Sequence, residues 1–137
     1  LSPSGVAGVV ITTSSHYARV MSVLNSNFEL TPYIPDLNLR QGVIKWEGSD
    51  SRYGYLKEVN RTEDVKKGQW VLSSNYSNIF PPGIPVARVV EAKKALQQQY
   101  QKIKISFATD FSRLHYVYCV KNNSLKEVDS LNSNIEP

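Results

Sequence analysis

The side chains that could carry chemistry in this chain are few. There are two histidines, His16 and His115, one cysteine, Cys119, and a scatter of serines and carboxylates. No His-x-x-x-His and no Cys/His cluster occurs, so the ligand spacing of a zinc site is missing. A serine hydrolase needs a nucleophile, a base and an orienting acid within mutual reach. Ser73, Ser74 and Ser77 qualify by type only. They stand in no Gly-x-Ser-x-Gly elbow, and no glycines surround Ser73 to build an oxyanion nest. His16, a later aspartate and a later serine follow in order, as they do by chance in any serine-rich chain. Glu58, Glu63 and Asp64 lie in or beside a polar connector, where solvated charge is the ordinary role. No glycine-rich phosphate loop is present. Asn60-Arg61-Thr62, Asn75-Tyr76-Ser77 and Asn122-Asn123-Ser124 fit the glycosylation triplet, which matters only in a eukaryotic secretory setting. Cys119 cannot form an internal disulfide. Within Tyr116-Val117-Tyr118-Cys119-Val120 it reads as a buried small hydrophobe, not as a nucleophile. The residues thus point to no catalytic group, no cofactor and no metal.

What remains is shape. Phe80-Pro81-Pro82-Gly83-Ile84-Pro85 is a stiff corner. Each proline fixes φ and removes a backbone donor, and each residue before a proline is pushed toward extended geometry. Gly83 alone is free to take positive φ. Aromatic and apolar side chains cluster at turns: Tyr76, Ile79 and Phe80, with Phe28 and Tyr33 elsewhere. A rigid loop that presents several such groups is an interaction patch. Tyr76, Ile79, Phe80, Pro81, Pro82 and Phe28 are therefore the candidate partner-binding residues. For Phe80 two roles stand open: plugging the end of its own barrel, or anchoring a partner.

The elements that must position this corner read as short strands. Gly5–Thr13 and Tyr17–Leu24 form a hairpin around Ser14-Ser15-His16. Phe28–Ile34 is a third strand, held to an edge or a bulge by Pro32. Gln41–Glu47 and Tyr53–Val59 flank the turn Gly48-Ser49-Asp50-Ser51. Asn60–Lys67 is a polar link between two halves. Gln69–Ser74 leads into the corner and Val86–Lys94 leaves it. Ala95–Gln101 is a hairpin tip. Lys102–Phe107 alternates strictly, with Ile103, Ile105 and Phe107 on one face and Lys102, Lys104 and Ser106 on the other. Asp110 caps a single turn, and His115–Val120 is the last strand. The polar residues 122–137 are expected to be disordered. About nine short strands at close spacing make an antiparallel barrel or sandwich.

Length and composition agree. The chain has 137 residues, enough for one domain or two small lobes sharing a core. Its net charge of +4 comes from 16 basic and 12 acidic residues, with the basic ones scattered. That argues against nucleic acid, whose binders cluster their cations or carry a known motif. No run reaches the ~18 apolar residues of a membrane span.

Taken in series, these blocks resemble the extracytoplasmic β domain of the MreC family of bacterial rod-shape-determining proteins. The resemblance is carried by Gly5-Val6-Ala7-Gly8-Val9-Val10, by His16–Met21 with Asn25-Ser26-Asn27-Phe28, and by Gly42-Val43-Ile44-Lys45-Trp46-Glu47-Gly48. Val65–Leu72 with Ile79–Val86 is the most specific block, and Asp110–Leu114 closes the match at about residue 121. The wording around His16 and Trp46 resembles the Bacteroidota branch. The chain departs from the family at Gly68-Gln69-Trp70-Val71-Leu72-Ser73-Ser74-Asn75, where the family has Gly-Asp-x-Val-x-Thr-Ser-Gly. It departs again at Val86-Ala87-Arg88-Val89, where a glycine is usual, and at Asn25-Ser26-Asn27, which lacks the usual proline.

The resemblance implies an all-β fold of two small antiparallel β-barrels packed side by side, chymotrypsin-like in arrangement but without the active site. The lobes would be 1–61 and 62–121, with the last strand returning toward the first. It implies a non-enzymatic scaffold of the cell-elongation machinery. Such a scaffold would associate with itself, bind a class B penicillin-binding protein, and work alongside MreB, MreD and RodA. It would sit at the periplasmic face of the inner membrane through an N-terminal helix outside this sequence. Two other readings stand beside it: a carbohydrate-binding β module using Trp46 and surface tyrosines, and a two-barrel hydrolase relative.

Overall fold

The computed structural model describes residues 1–74, 81–114 and 116–119. Within these the chain forms β1 (Gly8–Thr13), β2 (Ala18–Ser22), β3 (Pro32–Tyr33), β4 (Val43–Lys45), β5 (Tyr53–Lys57), β6 (Trp70–Ser73), β7 (Pro85–Lys93) and β8 (Lys102–Phe107). Single 3-10 turns stand at Pro35–Leu37 and Phe111–Arg113. The second turn is capped as the sequence indicates, with the Ser112 N–H donating to the Asp110 carboxylate at 3.1 Å.

β1 and β2 make a two-stranded hairpin, and the other six strands form one antiparallel sheet in the order β3-β6-β7-β8-β5-β4. The two edges of that sheet approach each other. Leu30, just ahead of β3, bridges Ile44 of β4, and the Ile44 N–H donates to the Leu30 carbonyl at 2.9 Å. The result is a nearly closed six-strand barrel sheet beside a small two-strand sheet. The all-β antiparallel expectation holds. Strands from either side of residue 61 interleave, β5 against β8 and β3 against β6, so 1–61 and 62–121 share this sheet.

Residue types explain the curl. In β8 the alternation of the sequence becomes an alternation of burial: Ile103, Ile105 and Phe107 turn into the core while Lys102, Lys104 and Ser106 face out. Facing them inside are Ile44, Leu56, Val71, Val86 and Val89. Burying side chains of this size is the main stabilising term, about 1.5–3 kcal/mol each. Gly54 of β5 makes room for this core. A Cβ there would lie 2.5 Å from the Phe107 ring. Pro32 holds β3 to two residues at the sheet edge, where a missing N–H costs no ladder bond.

Two expectations are corrected. Phe28 is not a surface group at a turn. It is 2% exposed, buried in the core beside Leu30 and Ile34. Cys119 is exposed, not buried. The segment 116–119 that carries it makes no strand. Tyr118 exchanges backbone bonds with Leu1, its N–H donating to the Leu1 carbonyl at 2.6 Å and its carbonyl accepting from the Leu1 amino group. High β-propensity does not make a strand without a neighbouring strand to pair with. The expected tail, 122–137, lies outside the described residues.

Candidate partner-binding surface

The proline corner is built outward from β6. Ser73, the last residue of that strand, is fully buried. Its N–H donates to the Ile84 carbonyl at 2.8 Å, and its carbonyl accepts the Gly83 N–H at 3.0 Å. Its hydroxyl donates to the Pro81 carbonyl at 2.6 Å and accepts the Ile84 N–H at 2.9 Å. One side chain and its peptide group thus clamp the returning chain at Pro81, Gly83 and Ile84.

Gly83 stands at φ +83°, and a Cβ there would meet nothing within 4 Å. The glycine is needed for its left-handed backbone and not for space. The outgoing strand is tied down too: Pro85 accepts the Val6 N–H at 3.0 Å, and Val86 accepts the Ala108 N–H at 2.9 Å. Pro82 and Gly83 are exposed and Pro81 is half-buried. The sequence-derived residues Tyr76, Ile79 and Phe80 lie outside the described residues, so the structure brings together Pro81 and Pro82 and removes Phe28 to the core.

The geometry bears on the other readings at the described residues, while His115 and Ser77 lie outside them. Ser73, a nucleophile by residue type, has its hydroxyl engaged with two backbone groups. Ser74 is buried, and His16 sits exposed at the tip of the β1–β2 hairpin. The two tryptophans do not form one open platform. Trp46 packs against the core with its Nε1–H donating to the Asp50 carbonyl at 2.9 Å. Trp70 is 42% exposed on β6, under the Arg88 guanidinium at 4.6 Å. Among the described residues no three His, Cys, Asp or Glu side chains are placed to hold a metal ion.

With a stiff corner on a barrel wall as the distinctive feature, likeness to known proteins becomes informative. Residues 1–121 match the family described as "Rod shape-determining protein MreC, barrel core". The chain belongs to the MreC family.

Within that family the chain is 26% identical over 124 residues to the cell shape-determining protein MreC of Listeria monocytogenes. The match covers 89% of this chain and 42% of that protein, so the chain spans well under half of its relative's length. The crystal structure of MreC from Pseudomonas aeruginosa superposes with a TM-score of 0.77 at 26% identity, over 86% of this chain and 77% of that one. Another solved MreC structure gives 0.74 at 25% identity, over 81% and 62%. The MreC resemblance read from the sequence is therefore correct, and with it the assignment to cell-shape-determining proteins.

Ser73 as a clamp was missed by sequence reasoning. The signal available was its position, the last β-prone residue before a loop that ends in prolines. A hydroxyl there can satisfy backbone groups that proline cannot pair.

Proposed function

We propose that this chain is the extracytoplasmic β portion of a non-enzymatic scaffold of the cell-elongation complex. It associates with itself and binds a class B penicillin-binding protein, and it works with MreB, MreD and RodA at the periplasmic face of the inner membrane. The observation that supports this reading is the clamped corner. Ser73 fixes Pro81, Gly83 and Ile84 to the barrel wall, leaving Pro82 exposed at the end of a loop whose sequence supplies Tyr76, Ile79 and Phe80. A corner fixed at Pro81, Gly83 and Ile84 loses little conformational entropy on binding, which favours a docking role.

Among the described residues no helix is long and apolar enough to cross a membrane. In this reading the anchor belongs to a part of the protein outside this sequence.

Two experiments test the proposal. The first is co-purification of the chain with the extracytoplasmic domain of the transpeptidase from the same organism. Retention supports the partner assignment, and failure of the wild-type chain to be retained removes it. The second is sedimentation over a concentration series, where a mass that rises with concentration supports self-association and a constant monomer mass contradicts it.

A further inference from the structure

The sequence scatters its basic residues, and the barrel gathers several of them. On β8 the outward positions are Lys102, Lys104 and Ser106. Across the ladders Lys104 stands opposite Tyr55 of β5, and Ser106 stands opposite Arg88 of β7. β7 carries a bulge here. Its pairing steps from Val89 against Ile105 to Glu91 against Lys104, which leaves Val90 as the extra residue. A bulge re-aims a side chain. Val90 joins Val65 and Ala92 in lining an open recess of about 580 Å³, whose remaining walls are Lys67, Lys104 and Glu91.

Charge around this recess is unbalanced. Glu91 is paired with Lys93 at 3.3 Å. Lys45, Arg52 and Lys57 have their own carboxylates in Glu29, Asp50 and Glu47. Lys67, Arg88, Lys102 and Lys104 have none at ion-pair distance among the described residues. Three of these lie over rings instead: Lys104 over Tyr53 at 4.4 Å, Lys102 over Tyr55 at 5.3 Å, and Arg88 over Trp70 at 4.6 Å. Arg88 also donates to the Gly68 carbonyl at 3.3 Å, which holds it beside the turn that carries Lys67.

Lys67 and Lys104 outnumber Glu91 in the recess, with Arg88 and Lys102 nearby on the strands; Glu91 opposite Lys104 and the neighbouring Asp50 offset this charge only in part, and an anionic partner relieves the rest. The spacing says which kind. Lys102 and Lys104 are alternate residues of one strand, about 7 Å apart. Alternate residues of an extended partner chain repeat at the same distance. Each of these rings already has a cation over it.

We propose that the recess between the 65–68 turn and β7–β8 docks an extended acidic protein segment. Its alternate carboxylates meet Lys102 and Lys104, with Lys67 and Arg88 flanking. A small apolar side chain between them rests on Val65, Val90 and Ala92. This surface is distinct from the proline corner and does not depend on the transpeptidase assignment.

The probe is a fluorescein-labelled peptide, Glu-Ser-Glu-Val-Glu-Ser-Glu, followed by anisotropy against the 137-residue chain. Binding that weakens with added salt, falls at least about tenfold in a Lys67→Glu/Lys104→Glu double variant, and is unchanged in Arg19→Gln supports the site. Amide shift changes in the wild-type chain should centre on residues 65–68, 88–92 and 102–104. That mapping decides the matter even if the double variant fails to fold. Equal affinity in a folded double variant, or shifts centred elsewhere, overturns the proposal. So does binding to phosphatidylglycerol vesicles or soluble peptidoglycan strands in the absence of peptide binding.

Discussion

The Ser73 hydroxyl donates to the carbonyl of Pro81 at 2.6 Å, joining the end of β6 to the chain that returns eight residues later. The same oxygen accepts the Ile84 N–H. Prolines leave a loop short of donors, and here a serine supplies what the ring nitrogens cannot. The corner is therefore an extension of the barrel wall, and its shape is set by a residue buried beneath it.

Replacing Ser73 by alanine removes both hydroxyl bonds and leaves the Ile84 N–H and the Pro81 carbonyl without them. The expected loss is about 1–3 kcal/mol. In urea unfolding the midpoint should fall while the slope stays unchanged. A midpoint equal to that of the wild type would mean that the clamp contributes nothing.

Two glycines should respond differently. At Gly83 (φ +83°) space is open, so alanine suffers only the left-handed backbone, about 1–2 kcal/mol, and asparagine suffers less. At Gly5 a Cβ would lie 2.3 Å from the Pro85 carbonyl oxygen, so alanine must displace backbone. Thermal unfolding should rank Gly83→Asn above Gly83→Ala, and both above Gly5→Ala.

Alternate positions of β8 should differ sharply. Ile105→Ala empties a fully buried site and should cost about 2–5 kcal/mol. Lys104→Gln, one residue away on the outer face, should stay within about 0.5 kcal/mol. Chemical denaturation of the two variants checks the register of the whole sheet, since a one-residue slip would exchange their effects.

The turn between β4 and β5 has a titration signature. Arg52 donates to both Asp50 carboxylate oxygens, at 3.1 and 2.8 Å, and its backbone N–H adds a third bond at 2.9 Å. These bonds, with the side-chain bond foremost, hold the Asp50 pKa at about 2, below its usual 3.8. The folded state thus favours the ionised form. The stabilisation is complete above the ordinary carboxylate pKa and is lost as pH falls from there through about 2. A carboxyl-carbon NMR titration should give that low midpoint, and Arg52→Gln should return it toward the ordinary value. An unshifted wild-type midpoint would contradict the geometry.

Much of the fold was legible because local pattern and burial agree. Ile103, Ile105 and Phe107 announced their face by period alone, and Pro32 announced an edge. The MreC resemblance was legible as an ordered series of blocks. Other features depend on neighbours that no local window contains. Phe28 reads as a turn aromatic until Leu30 and Ile34 are seen to draw it inward. Tyr116–Cys119 reads as a strand, yet among the described residues it forms no ladder, and Tyr118 exchanges two backbone bonds with Leu1. The basic residues read as scattered because Lys67, Arg88 and Lys104 come together only when the 65–68 turn, β7 and β8 are assembled. Ser73 offered a hydroxyl to sequence reasoning, but its role depends on a carbonyl beyond the loop.

The central claim is that the clamped corner presents a partner-binding loop. Its most direct test is the affinity of the chain for the extracytoplasmic domain of the matching class B penicillin-binding protein. Wild type should be compared with a Tyr76→Ala/Phe80→Ala variant whose thermal unfolding is unchanged. The account predicts binding by the wild type and a loss of at least about tenfold in the variant, the scale expected when aromatic anchors are truncated. Equal affinity for both would contradict it.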